Sequence, residues 1–513
     1  MMIIKIVYAI TISLTCLNLN FVKSASIFNN QLNYEEVRNN IIAAEESIRT
    51  GGNIYLSPKE QEADKILLSM KDKAIQKGII DSASYAPSMH FFHAKPLIEQ
   101  DPIFEIIQKV PKGGVLHLHN SAGASSDWVI RNLTYRDEVM ICNHNDGYKM
   151  FLTVPSKYCA NEAVPINKLR AEATNKNDFD KSLESLINLY THQPETEYPD
   201  VNSVWKKFQN MFNVVGGVFD YLPTYKAYHQ RILEELYEDN VMYLEMRTGM
   251  GGVIDENGNK LNSQDMAEVI LKLVDAFKKD HPLFLGVKVI LAIPRNSDQK
   301  SFEQKVERFL DLRKKYPNFV VGFDLVGQED IGRPLSSYVD KLKEISQNGR
   351  FFFHAGETNW FNTDADVNLI DAILMNTKRI GHGYSLYKHP VLWEAFKEKD
   401  IAIEISPISN QVLHLVQDLR NHPASFYISE NVPIVIANDD PGFWNARGLS
   451  YDFYYAFMAF TPADSGLQVL KQLAWNSLKY SAMSQQERTY AAVVFKTSWD
   501  KFINYVLSLE NKL

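Results

Sequence analysis

Residues 113–119 read Gly-Gly-Val-Leu-His-Leu-His, a short apolar run that ends in two histidines. On a β-strand His117 and His119 point to the same face because they are two residues apart, whereas Leu116 and Leu118 point to the other face. The leucine face predicts a covering layer of helices, and the histidine face predicts a polar site at the carboxyl end of the strand.

Apolar runs of this kind recur along the chain, with helical patterns between them. Together with 113–119 they predict eight strands, the others at residues 241–247, 286–293, 320–327, 350–357, 379–383, 401–407 and 433–440. Nearly continuous apolar runs are typical of parallel strands covered on both faces, and their alternation with helices predicts a parallel sheet. Eight units predict an α/β fold, a (β/α)8 TIM barrel whose active site lies at the carboxyl ends of the strands. We assign residues 111–513 to this barrel.

The region before the barrel, residues 25–110, reads as helices without catalytic residues. Apolar positions at helical spacing predict one helix over 34–49, and Ser57 followed by Pro58 predicts the start of a second, with the serine as N-cap. Two interpretations fit this region: a helical cap on the barrel and a dimerisation element. The sequence leaves both open.

The crossover between the first two strands is too long for a simple connection. Residues 120–240 separate these strands, and structureless loops of that length are uncommon in compact domains. We therefore predict an inserted subdomain, whose polar part spans residues 127–180. The segment after residue 443 reads as mainly helical and is expected to pack under the barrel.

The first residues predict export. Met-Met-Ile-Ile-Lys is followed by an apolar segment at 6–19 and then by small residues, which is typical of a secretory signal. Val22 and Ser24 suit the positions before a cleavage site, so residues 1–24 are assigned as a signal peptide and the protein is expected to be secreted and extracellular. The alternative is a membrane anchor, for which the segment is short, and no other stretch of the sequence is long enough to span a membrane.

Charge and cysteine content fit an exported protein. The formal net charge is −8 and no long basic run occurs, so nothing predicts nucleic acid as a partner. Removal of the signal leaves Cys142 and Cys159, which lie in one polar segment that looks exposed. We expect them to form a disulfide in an oxidising compartment, the alternative being two buried thiols. Nearby, Asn132-Leu133-Thr134 is a sequon that predicts glycosylation of Asn132.

Further metal-type and acidic residues follow other predicted strands: His354, Glu357, His382, Asp439 and Asp440. Each has an ordinary interpretation by itself. The aspartates fit a turn or a helix cap before Pro441, Glu357 fits a surface ion pair, and His382 fits a hydrogen-bonded core histidine. At the carboxyl ends of four different barrel strands, however, all of these side chains meet at one rim, which favours function.

Together these residue types predict a hydrolytic zinc site. Zinc binds imidazole nitrogens and a carboxylate oxygen and keeps an open position for water when it is catalytic. His117, His119, His354 and Asp439 supply such a ligand set. Glu357 lies beyond a small Ala-Gly turn, where a carboxylate that does not bind the metal can give and take protons.

The ordered motifs resemble those of the adenosine deaminase family. They are His-Leu-His (117–119), Gly-Phe-Asp-Leu-Val-Gly-Gln-Glu-Asp (322–330), His-Ala-Gly-Glu (354–357), Gly-His-Gly (381–383), Ser-Pro-Ile-Ser-Asn (406–410), Asn-Asp-Asp-Pro (438–441) and Trp-Asn-Ser (475–477). The helical N-terminus, the signal and the cysteine-containing insertion are similar to the secreted branch, the adenosine deaminase-related growth factors. The resemblance covers nearly the whole mature chain. The other zinc deaminase class, with His-x-Glu and Pro-Cys-x-x-Cys, is absent.

The resemblance implies a role for each matching residue. It implies one Zn²⁺ per chain on the four ligands named above, with Glu357 donating a proton to purine N1 and His382 orienting and helping to deprotonate the attacking water. It further implies that Gly327 offers its backbone N–H to purine N3, that Asp440 binds N7 and that Trp205 forms a wall of the substrate pocket. It also implies a homodimer built by residues 25–110.

The expected reaction is deamination of adenosine, and of 2′-deoxyadenosine, to inosine or deoxyinosine plus ammonia. A second interpretation is deamination of another aminopurine, such as adenine or a nucleotide, and a nucleotide would require basic groups at the pocket mouth. A third is a secreted growth factor that acts mainly through its insertion on a cell-surface receptor or glycan. Because every catalytic position is filled, a signalling role without catalysis is disfavoured, while a dual role stays open.

Overall fold

The computed structural model describes residues 34–144, 147–152, 159, 162–347 and 349–510. The predicted signal peptide, residues 1–24, lies outside the described residues. Within the described part of the chain, no helix is both long enough and apolar enough to cross a membrane.

Within the described residues, eleven strands form three sheets. In chain order they are β1 Gly113–His119, β2 Val139–His144, β3 Gly147–Leu152, β4 Val164–Pro165, β5 Val241–Thr248, β6 Gly286–Pro294, β7 Val320–Val326, β8 His354–Ala355, β9 Arg379–His382, β10 Ala402–Ile405 and β11 Ile434–Ile436. Two parallel sheets, β1-β5-β6-β7 and β11-β10-β9-β8, contain the eight predicted strands.

The two parallel sheets close into a barrel. Single parallel bridges join them on both sides, between Leu118 and Asp439 and between Phe323 and Phe351. The predicted (β/α)8 TIM barrel is confirmed. The run at 350–357 forms a shorter strand than expected, because only His354–Ala355 pairs regularly with β9 and the backbone turns at Gly356, which has a positive φ of 73°.

Helices cover the outside of the barrel and also form the regions before its first strand and after its last strand. The outer helices are Leu222–Glu238, Ser263–Asp280, Gln299–Lys315, Val339–Ser346, Asp364–Leu374, Pro390–Glu398, Pro407–Val412 and Ala424–Ser429. The N-terminal region contains Tyr34–Ile48, Pro58–Ile80, Phe91–Ile98 and Pro102–Lys109, and the C-terminal region contains Ser450–Tyr455, Leu467–Lys479 and Gln485–Ser508.

The C-terminal helices pack under the barrel, at the amino ends of the strands. Ser477, in helix Leu467–Lys479, accepts a hydrogen bond at its Oγ from the backbone N–H of Gly114 at 2.7 Å. Gly113 has no room for a side chain, since a Cβ there would lie 2.1 Å from the same Oγ. The first barrel strand is thus seated directly on this helix.

Helix Pro58–Ile80 is docked on the C-terminal segment by buried polar contacts. Ser57 is the N-cap of this helix, as the sequence predicts, and it also forms a capping box with Glu60. The Glu60 carboxylate also accepts hydrogen bonds from Lys471 and Trp499, and the buried Lys71 ammonium donates to Thr461. In contrast, the preceding helix Tyr34–Ile48 buries only Val37. Against the rest of the described chain, the first helix therefore leaves most of its surface uncovered, whereas the second is docked by buried contacts.

The predicted insertion contains a small antiparallel sheet, β3-β2-β4, and a long helix. Helix Val201–Phe219 crosses β3 closely, and a Cβ at Gly217 would lie 2.6 Å from the carbonyl oxygen of Met150. Cys142 on β2 forms a disulfide with Cys159, with Cα atoms 6.3 Å apart. The expectation of an exposed segment is wrong for Cys142, which is buried on β2, against which helix Ile166–Glu172 packs. Asn132 of the sequon is exposed.

Candidate metal centre and active site

Three barrel strands, β1, β8 and β11, bring the predicted ligands to one point at their carboxyl ends. The imidazole ring of His117 lies 5.3 Å from that of His119 and 4.6 Å from that of His354, measured between ring centroids. Asp439 follows β11 and reaches the same point. His117, His354 and Asp439 are buried, and His119 is half-buried at the edge of the cavity.

Left-handed backbone turns aim the side chains of one predicted ligand, Asp439, and of the neighbouring His382 inward. His382 has a φ of 61° and Asp439 a φ of 58°, a region that non-glycine residues rarely adopt and that costs on the order of 1–3 kcal/mol. Each lies where a barrel strand ends, so the turn redirects the side chain from the strand face toward the barrel axis. Strain of this kind is typical of functional sites.

The donor atoms have the spacing of a metal site. The Oδ1 atom of Asp439 lies 3.1 Å from Nε2 of His117 and 3.2 Å from Nε2 of His119. Two ligands that are each about 2.0–2.1 Å from a tetrahedral zinc ion are separated by roughly 3.3 Å. Among the described residues, neither His117 Nε2 nor Asp439 Oδ1 has a hydrogen-bond partner. Buried polar atoms without partners are costly, and a shared cation would satisfy both.

Carboxylates behind the histidines orient their rings. Glu404 lies 2.7 Å from Nδ1 of His117, and Asp324 lies 2.7 Å from Nδ1 of His354. A carboxylate at Nδ1 holds that nitrogen protonated and leaves Nε2 free as a metal ligand. Burial lowers the pKa of His354 to about 4, which favours the neutral imidazole that metal binding requires.

Two buried arginines hold these carboxylates in place. Arg247 donates to Asp324 from Nε and to Glu404 from its terminal nitrogen, both at 2.7 Å. Arg379 donates to Glu404 from the other side, at 2.7 Å, and to Glu245 at 2.6 Å. Burial alone would raise the pKa of Glu404, but the two arginines and His117 outweigh it and hold that pKa well below its usual range. The ligand-orienting carboxylates therefore stay ionised.

His382 is the nearest competitor for a ligand position. Its donor atom lies within 4.8 Å of those of His117, His354 and Asp439, whereas His119 groups with Asp439 and Asp440. The distances separate the two candidates. His382 Nε2 is 3.8 Å from the nearer Asp439 oxygen, against 3.2 Å for His119 Nε2. The shorter spacing matches two ligands of one ion and favours His119.

Glu357 faces the same centre as a protonated acid. Burial, with further contributions from Asp439 and Glu329, raises its pKa well above the usual range. Its backbone N–H donates to a carboxylate oxygen of Glu329 at 2.6 Å, and Glu329 is itself bound by Asn368 at 2.7 Å. The turn that presents Glu357 is thereby fixed, and its neutral carboxyl can donate a proton or a hydrogen bond.

A cavity of about 510 Å³ opens above the metal residues, a size suited to a small molecule. One wall is aromatic and comes from helix Val201–Phe219 through Trp205, Phe208 and Phe212, and the opposite side includes Gly327 and Asp440. Gly327 has a φ of 104°, a conformation that favours glycine. Burial and the neighbouring Asp439 raise the pKa of Asp440 well above its usual range.

All the predicted site residues of the barrel line this cavity except His117, which lies beneath it in contact with Asp439. The disulfide and Asn132 lie apart, in the insertion. Sequence reasoning assigned no role to Asp324, Glu404, Arg247 or Asn410. Asp324 and Asn410 belong to motifs that were identified, and Glu404 and Arg247 interrupt otherwise apolar strands, which is the signal that could have singled them out.

Comparison with known proteins gives consistent matches over the whole fold. A family model described as Adenosine deaminase matches residues 180–493, and one described as Adenosine/AMP deaminase N-terminal matches residues 13–107. Adenosine deaminase 2 of Homo sapiens is 39% identical over 486 residues, which cover 93% of this chain and 95% of that protein. Adenosine deaminase of Lutzomyia longipalpis is 40% identical over 476 residues, which cover 92% of this chain and 93% of that protein.

Solved structures share the fold at low identity. The Arabidopsis N6-mAMP deaminase matches with a TM-score of 0.54 and 18% identity, covering 77% of this chain and 99% of its own. An amidohydrolase from Burkhoderia ambifaria, solved with bound Zn, matches with a TM-score of 0.52 and 16% identity, covering 79% of this chain and 95% of its own.

Proposed function

The chain belongs to the adenosine deaminase family and is an adenosine-deaminating hydrolase, and we propose that it is a secreted zinc enzyme that converts adenosine and 2′-deoxyadenosine to inosine and deoxyinosine. The observation that carries this proposal is the convergence of His117, His119, His354 and Asp439 beneath one cavity, with Glu357 beside them. The reaction adds one water molecule to C6 of the purine and releases ammonia.

We assign the metal site to His117, His119, His354 and Asp439, with one zinc ion per chain. When bound, zinc supplies a Lewis acid that makes water nucleophilic near neutral pH. The chain's own residues prepare the ligands, because Glu404 and Asp324 orient two of the imidazoles and Arg247 keeps both carboxylates ionised.

Glu357 is assigned as the proton donor to purine N1. Its pKa, raised by burial and by Asp439, supports this role, since the raised pKa favours the protonated carboxyl that can give its proton to the purine. Protonation of N1 draws electrons from C6 and makes that carbon electrophilic. The assignment of His382 is to orient the attacking water, and its Nε2 lies 3.6 Å from the Glu357 carboxylate, on the same side of the cavity.

The remaining cavity residues are assigned to the purine. The Gly327 backbone N–H is proposed to bind N3 and Asp440 to bind N7. The Asp440 pKa, raised by burial and by Asp439, supports a protonated carboxyl that can donate to the N7 acceptor. Trp205 and Phe208 offer apolar faces against which the base can pack.

The cavity favours a nucleoside over a nucleotide. Among the described residues that line it, the two arginines are already engaged. Arg295 binds the carbonyl oxygens of Gly327 and His354, and Arg247 binds the two carboxylates below. Neither guanidinium is free to bind a phosphate group, which needs a positive or N–H-rich site.

Secretion, the insertion and the dimer complete the proposal. Residues 1–24 are proposed to be removed as a signal, Asn132 is proposed to carry a glycan, and the insertion with its polar part at 127–180 is proposed to contact a cell-surface receptor or glycan. The exposed position of Asn132 and the Cys142–Cys159 disulfide support an extracellular setting. The N-terminal helices of residues 25–110 are proposed to form the homodimer, for which helix Tyr34–Ile48 offers the free face.

A direct assay tests the zinc and substrate proposals. Purified secreted protein is mixed with adenosine, 2′-deoxyadenosine, AMP or adenine, and the fall in ultraviolet absorbance is followed with and without a chelator. We expect turnover of both nucleosides, little turnover of AMP or adenine, and loss of activity on chelation that zinc restores. His119→Ala should lose both the metal and the activity. A metal-free protein with full activity would refute the zinc assignment, and preferred turnover of AMP would refute the nucleoside assignment.

A further inference from the structure

Behind His382 stand two buried side chains to which no role has been assigned. Asn410, in helix Pro407–Val412, lies between His382 and His422, and all three are almost completely buried. The amide nitrogen of Asn410 is 3.1 Å from Nδ1 of His382, and its amide oxygen is 2.9 Å from Nε2 of His422. The backbone N–H of Ala424 lies 2.9 Å from Nδ1 of His422.

The direction of this chain of hydrogen bonds is fixed at its outer end. A backbone N–H can only donate, so Nδ1 of His422 must accept from Ala424 and carries no proton. An imidazole bears at least one proton, and in His422 that proton must therefore lie on Nε2. Burial supports a neutral ring, since it lowers the pKa of His422 to about 3.

The orientation of the Asn410 amide follows from the tautomer of His422. Because Nε2 of His422 donates, the Asn410 atom that faces it must be the oxygen, and the NH₂ group must face His382. A flipped amide would place its NH₂ group against the His422 N–H, two donors in contact in a buried site. Amide oxygen and nitrogen are easily exchanged when an amide is placed, but here the backbone of Ala424 excludes the exchange.

We propose that Asn410 and His422 are positioning residues that fix the tautomer of His382 with its proton on Nε2. The Asn410 NH₂ group donates to Nδ1 of His382, so Nδ1 carries no proton and Nε2 must carry one. Nε2 is the atom that faces the cavity, 3.6 Å from Glu357 and 3.8 Å from Asp439, too far for direct hydrogen bonds. His382 thus faces the reacting centre as a hydrogen-bond donor. This inference rests on the role proposed above for His382.

The hydrogen-bonded series Ala424–His422–Asn410–His382, here called the relay, has a consequence for the metal site. A metal ligand needs an unprotonated nitrogen, so His382 is kept out of the ligand set while its Nε2 carries a proton. His119 is left as the third imidazole ligand, in agreement with its shorter distance to Asp439. His119 and His382 lie at similar positions around one centre. The Asn410 amide behind His382 therefore makes this ring a hydrogen-bond donor, whereas His119 remains a candidate metal ligand.

A second consequence concerns the reaction. In this tautomer His382 cannot accept a proton at Nε2, so in the resting enzyme it orients the attacking water by donating to its oxygen. The family resemblance implies that His382 also helps to deprotonate the attacking water, but a ring that already carries a proton on Nε2 cannot take up another there. The surroundings of His422 keep the relay rigid, since its ring stacks on Phe460 at 4.8 Å and meets Tyr384 edge-on at 5.3 Å.

The tautomer can be measured directly in the zinc-loaded protein. Ring-¹⁵N-labelled histidine is incorporated, and the state of each ring nitrogen is read from its NMR chemical shift and its coupling to ring protons. The His382 signals are identified by their loss in His382→Asn, and the exposed His192→Gln serves as the labelling control. We expect His382 to be protonated on Nε2 and unprotonated on Nδ1. Protonation on Nδ1 would overturn the inference whatever the activity of the enzyme.

Three variants test the relay. Asn410→Asp replaces the donor at Nδ1 with a carboxylate oxygen, so we expect Nδ1 to become protonated and the rate of adenosine turnover to fall at least tenfold. His422→Phe keeps a stacking ring but frees the amide to rotate, so the His382 signals should become mixed. His422→Gln restores an N–H donor near the position of Nε2 and should restore the wild-type tautomer and most of the rate.

The outcomes separate the relay from the proposed function. A His382 tautomer that is the same in Asn410→Asp and His422→Phe as in the wild type would refute the relay. The inferred tautomer together with undiminished turnover in His382→Asn would support the relay and refute the role proposed for His382. If Asn410→Asp does not fold, the wild-type measurement and the comparison of His422→Phe with His422→Gln still decide the question.

Discussion

Asp324 binds His354 twice, through its Oδ2 atom to Nδ1 of the ring at 2.7 Å and through its Oδ1 atom to the backbone N–H at 2.9 Å. One carboxylate thus fixes both the ring and the backbone of a metal-type histidine. Because β7 carries the aspartate and β8 the histidine, the contact also couples ring orientation to the packing of two neighbouring strands.

Removal of the Asp324 charge should weaken metal binding. In Asp324→Asn the amide holds His354 less firmly and makes it a weaker base, so we expect zinc affinity to fall about 10- to 100-fold. Competition with a metal-sensitive dye measures the affinity. Asp340→Asn, which changes an exposed aspartate, is the matched control. Equal zinc affinity in Asp324→Asn and Asp340→Asn would show that Asp324 does not support the site.

Glu357→Gln should separate proton transfer from metal binding. The amide keeps the size and shape of the side chain but has no acidic proton for purine N1, so turnover of adenosine should fall about 10² to 10⁴-fold. Zinc content, measured by elemental analysis, should stay near one per chain. Glu344→Gln on the surface is the control. Retained turnover would make Glu357 a structural residue, and loss of zinc would place it in the metal shell.

The disulfide should stabilise the insertion. Cys142 and Cys159 close a loop across a sequence separation of 17, for which the chain-entropy model gives about 3 kcal/mol. In Cys142→Ser/Cys159→Ser we therefore expect the insertion to be cleaved more readily by protease while the barrel persists. Peptide mapping without reductant should find the linked pair in the secreted protein, and two freely alkylated thiols there would contradict the prediction.

A charge on the free face of helix Tyr34–Ile48 should separate the proposed dimer. Ile42 is exposed on this helix, and Ile42→Glu would bury a charge in the interface without a partner. Light scattering should then report the mass of one chain instead of two. Ile80→Glu, at the exposed end of the next helix, is the matched control and should remain dimeric. If Ile80→Glu dissociates and Ile42→Glu does not, the interface lies elsewhere.

Glu60 should contribute stability that disappears in acid. Burial alone would raise its pKa, but hydrogen bonds from Lys471, Ser57 and Trp499 outweigh burial and lower the pKa to about 2, below its ordinary value of 4.5. The unfolded chain therefore takes up this proton first as the pH falls, so the contribution is complete above about pH 4.5 and is lost towards pH 2.

Unfolding in denaturant of wild type and Glu60→Gln at several pH values measures this contribution. The difference in the free energy of unfolding should be constant between pH 6 and 7 and should shrink as the pH falls from 4.5 to 2. Glu344→Gln, which removes an exposed carboxylate from another helix, is the matched control. A difference between wild type and Glu60→Gln that is independent of pH would mean that the Glu60 charge does not hold the N-terminal helix.

The barrel and the convergence of the proposed ligands could be predicted because their signals are local. An apolar run followed by His117-Leu118-His119 specifies a strand and the face of its histidines, since side chains on a strand alternate. Parallel strands place all their carboxyl ends at one rim, and this rule brought His354 and Asp439 to the same site without any knowledge of distances. The order of the motifs along the chain indicated the adenosine deaminase family.

The supporting contacts could not be predicted, because they join residues that are far apart in the chain. His117 and Glu404 are separated by 287 residues, and the strand register alone decides that they meet. The docking of Lys71 beside Thr461 spans 390 residues. No local pattern in either segment indicates its partner. The sequence therefore could not show that helix Pro58–Ile80 is docked on the C-terminal segment while helix Tyr34–Ile48 buries little.

Strand alternation and residue type lie in short stretches, so the barrel, the types of the proposed ligands and a nearby acid can be predicted from the sequence. The different roles proposed for the imidazoles depend on tertiary contacts. His119 and His382 carry the same side chain, and the difference between them comes from what lies behind each ring. For His382 it is the Asn410 amide, whose direction follows from His422 and the backbone of Ala424. Hydrogen bonds have a direction, and that direction is set only when donor and acceptor are packed together.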